Sequence, residues 1–212
     1  MVLARWPAEG RCKRRLAADI GSVRRATAVQ RRLTQHTLRT AAEAAEAHGA
    51  QLLLAVDGLG PRALRRWGQT LRRQGIAATV MTQGHGNLGC RMQRQLQQGF
   101  ARGFEQLVLI GSDLPDLQSA DLEQAFALLE QHDLVLGPAE DGGYWLIGIT
   151  RQGWLRSGAA LFSGIPWSSD QVLPLSLDRA ARQGLTVGLL RQQSDLDSRS
   201  ALEPWLLLER DR

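Results

Sequence analysis

Seven short apolar runs, separated by helical spacing or by turns, constrain this chain more than any other feature. They are Val2–Ala4, Gln51–Asp57, Ile76–Met81, Leu107–Gly111, Leu134–Leu136, Tyr144–Ile149 and Leu185–Leu190. Most are continuous rather than alternating, the pattern of strands covered on both faces. Helical segments are predicted near 22–48, 61–74, 89–102, 119–131, 169–183 and 199–208. Strands alternating with helices imply an α/β fold with a mainly parallel central sheet flanked by helices. A chain of 212 residues suits one domain over 1–212, and no repeat or linker interrupts it.

Several classes drop out. No apolar run approaches the length of a membrane-spanning helix. The start, "MVLARWPAEGRCKRRL", places an apolar stub ahead of its charges, the reverse of a signal peptide, which predicts a cytoplasmic protein. Cys12 and Cys90 lack metal-ligand spacing and read as free thiols. The net charge of +5 is concentrated at the front, where residues 1–40 carry ten Lys or Arg against Glu9 and Asp19. Such asymmetry points to an anionic partner, either the phosphates of a small molecule or a nucleic acid. Lys13 is the one lysine among 26 basic residues, which suits a site wanting a compact point charge. Arg25, Arg32 and Arg39 recur every seven residues, with Arg24 and Arg31 beside them, and form a stripe along a helix. A solvated face explains this stripe. A nucleic-acid surface is the rival reading, disfavoured because few aromatics and no binding motif accompany it.

In a parallel sheet, ligands bind beyond the carboxyl ends of the strands. After the first strand comes "RWPAEGRCKRRL", whose backbone and cations (Arg5, Arg11, Lys13, Arg14, Arg15) can wrap a polyphosphate. After the third comes "QGHGNLGCRM", where Gly84, Gly86 and Gly89 permit close backbone approach or simply open a helix. After the fourth, "LVLIGSDLP" presents Asp113, either a hard oxygen ligand for Mg²⁺ or Mn²⁺ or a cap for the next helix. In "SDLDS", Asp195 and Asp197 alternate along an extended segment, so both can face one site, or either can cap a helix. "AEDGGYW" carries a hairpin signal at Asp141–Gly142–Gly143, with Glu140 and Asp141 as candidates for binding sugar hydroxyls or for a base.

In order, the blocks "ARWPAEGRCKRRL", "QGHGNLGCRM", "LIGSDLPDL", "LGPAEDGGYWLIGI", "LFSGIPWSSDQV" and "DLDS" span nearly the whole chain. Together they resemble the DUF2064 group of bacterial glycosyltransferase-like proteins, also named for arsenosugar biosynthesis and radical-SAM-associated transferases. The resemblance implies a single-domain GT-A fold, that of nucleotide-diphospho-sugar transferases. It implies that Arg5, Lys13 and Arg15 neutralise a nucleotide diphosphate beside the Gly84 and Gly86 loop. Asp113 would bind a divalent metal, Mg²⁺ or Mn²⁺, completed by Asp197 and, less directly, Asp195. Asp141, as the catalytic residue, would lie with Gly142, Gly143 and Tyr144 where sugar or acceptor sits, and Trp167 would wall that pocket. The donor is then a nucleotide-sugar and the second substrate a small-molecule acceptor. Nucleotidyl transfer from an NTP is the alternative, and a catalytically silent nucleic-acid-binding protein a remote one. A homodimer is compatible with all three. Arg14 departs from the family pattern, standing where threonine is usual, as do Asn87 and Cys90, where acids are more common.

Overall fold

The computed structural model describes residues 1–199 and Leu202. Chain order is β1 (Val2–Arg5), α1 (Arg14–Asp19), α2 (Val23–Ala47), β2 (Leu52–Asp57), α3 (Pro61–Arg73), β3 (Ala78–Thr82) and α4 (Leu88–Ala101). There follow β4 (Gln106–Ile110), α5 (Ser119–Leu129), β5 (Leu134–Pro138), β6 (Tyr144–Thr150), α6 (Arg151–Ser157), α7 (Val172–Arg182) and β7 (Val187–Leu189). A 3-10 turn, Gly158–Phe162, follows α6. The predicted helix 199–208 falls almost wholly outside the described residues.

Among the described residues the strands form one sheet in the order β3-β2-β1-β4-β6-β5-β7. β1 pairs in parallel with β2 and β4, β2 with β3, and β5 with β7. β6 runs antiparallel to both β4 and β5. The hairpin signal at Asp141–Gly142–Gly143 therefore joins β5 to β6 as expected. One face is covered by α2, α3 and α5, with Leu38, Leu64, Leu71 and Leu122 packed on Leu54, Val56 and Ile110. The other is covered by α4, the 3-10 turn and α7, with Met92, Leu96, Phe162 and Ala180 on Leu107, Leu109 and Ile147. Burial on both faces is why these strands read as unbroken apolar runs.

Two strands start later than their apolar runs, for one shared reason. The Ile76 N–H bonds Leu71 O and the Gly75 N–H bonds Arg72 O, with Gly75 at φ 79°. Gly184 (φ 63°) and Leu185 close α7 in the same way onto Ala181 and Ala180. This is the Schellman end, in which the apolar residue after glycine packs back on its own helix. Ile76 and Leu185 are thus the last residues of helix caps, and β3 and β7 begin two residues later. Helix α7 also starts at Val172 rather than at 169, and α1 and α6 are too short for their period to show in the sequence.

Candidate active site at the carboxyl ends of the strands

Lys13 organises the site. It precedes α1 with φ 48° and ψ 46°, a left-handed conformation that costs a non-glycine residue roughly 1–2 kcal/mol. Its side chain is 1% exposed, and its ammonium is held by Asp197 Oδ1 at 2.8 Å and Asp113 Oδ2 at 3.1 Å. These contacts over-determine the strained backbone. Burial works against the charge, but the two carboxylates outweigh it and raise the Lys13 pKa above its ordinary value.

Asp113 leaves the end of β4 and is not a helix cap. That part is taken by Gln118, which exchanges bonds with Asp121 at the start of α5. Asp113 Oδ1 instead accepts from Gln30 Nε2 at 2.6 Å and from Ser112 Oγ at 3.4 Å. Gln30 is a buried glutamine on the inner face of α2. Sequence reasoning passed over it, although a glutamine where the helical period demands an apolar residue is a readable signal.

Asp195 and Asp197 flank Leu196, whose side chain is fully buried against Leu16 and Leu33 and whose N–H bonds Asp113 O at 3.1 Å. Anchoring the middle residue turns both carboxylates to the Lys13 side. Partial burial, then the charges of Asp197, Asp141 and Asp113, push the Asp195 pKa up to about 6, against the pull of Lys13. Asp113 and Asp197 thus grip one ammonium whose charge Asp195 also feels, and Asp141 adds a fourth carboxylate near Asp195. Among the described residues, no three His, Cys, Asp or Glu side chains converge closely enough to hold an ion alone. The donors are hard oxygens in excess of positive charge, which fits Mg²⁺ or Mn²⁺ sharing one or two carboxylates with substrate phosphates.

Arg5, at the end of β1, donates to Arg11 O and lies 3.5 Å from Asp57 Oδ2, folding the basic loop back on its strand. Arg91 of α4 also reaches Asp57 Oδ2, at 2.9 Å, together with Gln83 Oε1 and Gly86 O. Burial opposes ionisation of Asp57, but Arg91 and Arg5 hold its carboxyl below the usual range. Asp57, Gln83 and Arg91 were not anticipated, though Asp57 ends β2 much as Asp113 follows β4. Gly84 (φ 77°) and Gly86 (φ 110°) bend the loop around α4. A Cβ on Gly84 would strike the Arg94 guanidinium and one on Gly86 would strike Cys90, so their close approach is to this helix. Arg15 is exposed in the first turn of α1.

The hairpin places Asp141 with its Oδ1 accepting from the Gly143 N–H at 2.9 Å. Gly142 (φ 84°) lies against the backbone of Asp170, where a Cβ would not fit. Tyr144 meets Trp167 edge-on at 6.4 Å, and burial pushes the tyrosine pKa up. Trp167 stacks on Phe162 and covers Gly89, the second residue of α4. Arg15 apart, the sequence-selected residues gather as three neighbouring groups along the strand ends: Lys13 with its carboxylates, the Arg5 and glycine loops joined through Asp57 and Gln83, and the hairpin with Trp167.

A family profile described as an uncharacterized protein conserved in bacteria (DUF2064) matches residues 37–169. A search of proteins of curated function finds no match. A protein from Desulfovibrio desulfuricans G20, provisionally named a nucleotide-diphospho-sugar transferase, superimposes with TM-score 0.81 at 25% identity, over 99% of this chain and 93% of that one. The 4-diphosphocytidyl-2C-methyl-D-erythritol synthase of Anaerococcus prevotii DSM 20548 matches with TM-score 0.60 at 10% identity, over 99% and 95%. CMP:2-keto-3-deoxy-manno-octonic acid synthetase, solved with CTP, gives 0.57 at 13%, over 100% and 98%. The α/β fold is shared with all three.

Proposed function

The chain belongs to the DUF2064 family, and on that premise we propose that it transfers a sugar from a nucleoside diphosphate to a small-molecule acceptor, with Mg²⁺ or Mn²⁺ as cofactor. The observation that carries this reading is the Lys13 ammonium between Asp113 and Asp197 at the carboxyl ends of β1 and β4. The similarity to the Desulfovibrio protein supports the donor class.

Each residue has a part in this reading. Lys13, with Arg5 at the end of β1 and Arg15 in the first turn of α1, binds the donor diphosphate and balances the charge that grows on it as the sugar departs. Asp113, Asp197 and Asp195 would hold the metal, which supplies Lewis-acid neutralisation of the diphosphate oxygens when bound. Gln30 fixes the orientation of Asp113. Asp141, poised by its bond to Gly143, accepts the proton of the acceptor hydroxyl. Tyr144, Trp167 and the Gly142–Gly143 turn wall the sugar and acceptor pocket and keep water from the reacting carbon.

Thermal denaturation with UDP-, GDP-, ADP- and CDP-sugars and the four NTPs, each with Mn²⁺ or with EDTA, tests this. A ligand at about a hundred times its dissociation constant stabilises by roughly 2.7 kcal/mol. The expected result is a Mn²⁺-dependent shift with one nucleotide-sugar. A shift with NTPs alone would replace sugar transfer by nucleotidyl transfer, and no shift with any nucleotide would overturn the donor assignment.

A further inference from the structure

Helices α2 and α3 leave a cleft between them that runs from the ends of β1 and β2 down to the close of α3. Trp6, directly after β1, and Leu59, just after β2, line its upper end, and Ile76 lines its lower end. The Trp6 N–H bonds Asp57 O at 2.9 Å, which ties the two loops into one wall. Leu38 of α2 and Trp67 of α3 add to the apolar surface. The volume is about 370 Å³, within the range of small-molecule pockets.

Trp6 and Trp67 meet edge to face with ring centroids 5.0 Å apart. Such a pair sets one ring's edge on the other's face, and both rings are only half-buried, so aromatic surface is left for a guest. Positive charge converges on the same cleft from both helices. Arg31 of α2 and Arg66 of α3 line it and are exposed, and no acid among the described residues lines it. Neither arginine has a carboxylate three or four residues away along its helix, so neither is offset locally.

We propose that this cleft binds a small organic anion, its apolar ring-bearing body against Trp6 and Trp67 and one carboxylate or phosphate group on Arg31 and Arg66. A guanidinium presents paired donors that match either oxyanion. The ligand is neither the donor nor the acceptor of the proposed transfer. The cleft borders β1 and β2, whereas the Asp141 hairpin lies beyond β4, between β5 and β6. None of the residues assigned to sugar transfer lines it.

Calorimetric titration in EDTA, without nucleotide, tests this whether or not the transferase reading stands. The probes are 2-naphthoate and 2-naphthyl phosphate, and the tighter of the two identifies the head group. At least one should bind saturably, and neutral 2-naphthalenemethanol at least about tenfold more weakly. Arg31→Gln with Arg66→Gln should weaken the anion at least about tenfold. Arg62→Gln with Arg65→Gln, the same charge change outside the cleft, should retain its binding within about twofold. Thr70→Trp, at an exposed position of α3 that lines the cleft, should abolish binding while the protein still melts cooperatively. Absence of binding by both anions, equal binding of the neutral alcohol, equal losses in the two double variants, or undiminished binding in Thr70→Trp would overturn the proposal. So would a dimer that Thr70→Trp dissociates, or anionic vesicles held through Arg31 and Arg66, since either makes the cleft a docking face instead.

Discussion

Two centres in this molecule set carboxylates against cations with the same side-chain chemistry and reach opposite balances. Around Asp121, one carboxylate meets several donors. Oδ1 accepts from Arg191 Nε at 2.6 Å, and Oδ2 accepts from Arg191 Nη2, Gln193 Nε2 and the Gln118 N–H. Around Lys13, one ammonium meets Asp113 and Asp197, and Asp195 stands close enough to feel its charge together with those of Asp197, Asp141 and Asp113. Both centres draw on the segment that follows β7. Its Arg191 and Gln193 bond Asp121 of α5, while Leu196, anchored by burial and by its own N–H bond to Asp113 O, presents Asp195 and Asp197 to Lys13. The closed centre holds the chain in place, while the open one carries acid in excess of base and has capacity left for a ligand. In the proposed transferase, imbalance rather than charge as such is what makes the Lys13 centre the binding one.

The largest effect expected is on the open centre. Asp113→Ala should lower turnover with the identified donor roughly 10²–10³-fold, while Arg191→Met should leave it within a few fold. If steady-state kinetics gave the reverse, the assignment of the two centres would be exchanged. Next comes stability. Arg191→Met leaves the buried Asp121 carboxylate short of its best donors and should cost about 1–3 kcal/mol in urea denaturation. Asp113→Ala, which removes one of two carboxylates on Lys13, should cost less. A smaller effect is expected from Gln30→Leu. Loss of one hydrogen bond to Asp113 should weaken metal-dependent donor binding about two- to tenfold, read by calorimetric titration, with little change in melting.

The smallest effect is a difference in pH dependence, and its signs are opposite at the two centres. Burial works against the Asp121 charge, but Arg191 and the Gln118 N–H hold its carboxyl below the ordinary value. Its stabilisation is present above the unfolded value of about 4 and is lost as pH falls through the lower folded value. Asp195 titrates at about 6 in the folded protein, so the folded state binds the proton more tightly than the unfolded chain. Its ionisation therefore opposes folding at pH 7, and the protein gains stability as pH falls from about 6 toward 4. Asp195→Asn should raise the melting temperature at pH 7 in EDTA, with the gain gone near pH 4. Asp121→Asn should lower it at pH 7, with the loss gone in acid. Parallel curves for the two variants would show that the centres are electrostatically alike.

The strands were legible because burial on both faces leaves an apolar run that needs no partner to be recognised. Lys13 stood out for a related reason: a compact cation in a chain otherwise using arginine marks a site of small volume. Gln30 and Asp57 escaped notice because neither belongs to a motif: Gln30 shows only as a polar residue on an apolar helix face, and Asp57 only as an acid at a strand end. The late starts of β3 and β7 were encoded in Gly75 and Gly184, but the signal is a helix ending rather than a strand beginning. The arginine stripe was visible from its seven-residue spacing alone.

By itself, the sequence determined the α/β class, the number and approximate place of the described strands, the hairpin at Asp141–Gly143, and which loops hold cations and acids. Periodicity, turn chemistry and capping act over a few residues, so a single chain displays them. Tertiary structure alone decided that β6 also inserts beside β4 and runs against it, that Gln30 supports Asp113, and that Lys13 lies between carboxylates 100 and 184 residues away. Those outcomes depend on strand order and on the burial of Leu196. Side chains so distant in sequence meet only when the whole sheet has closed its core.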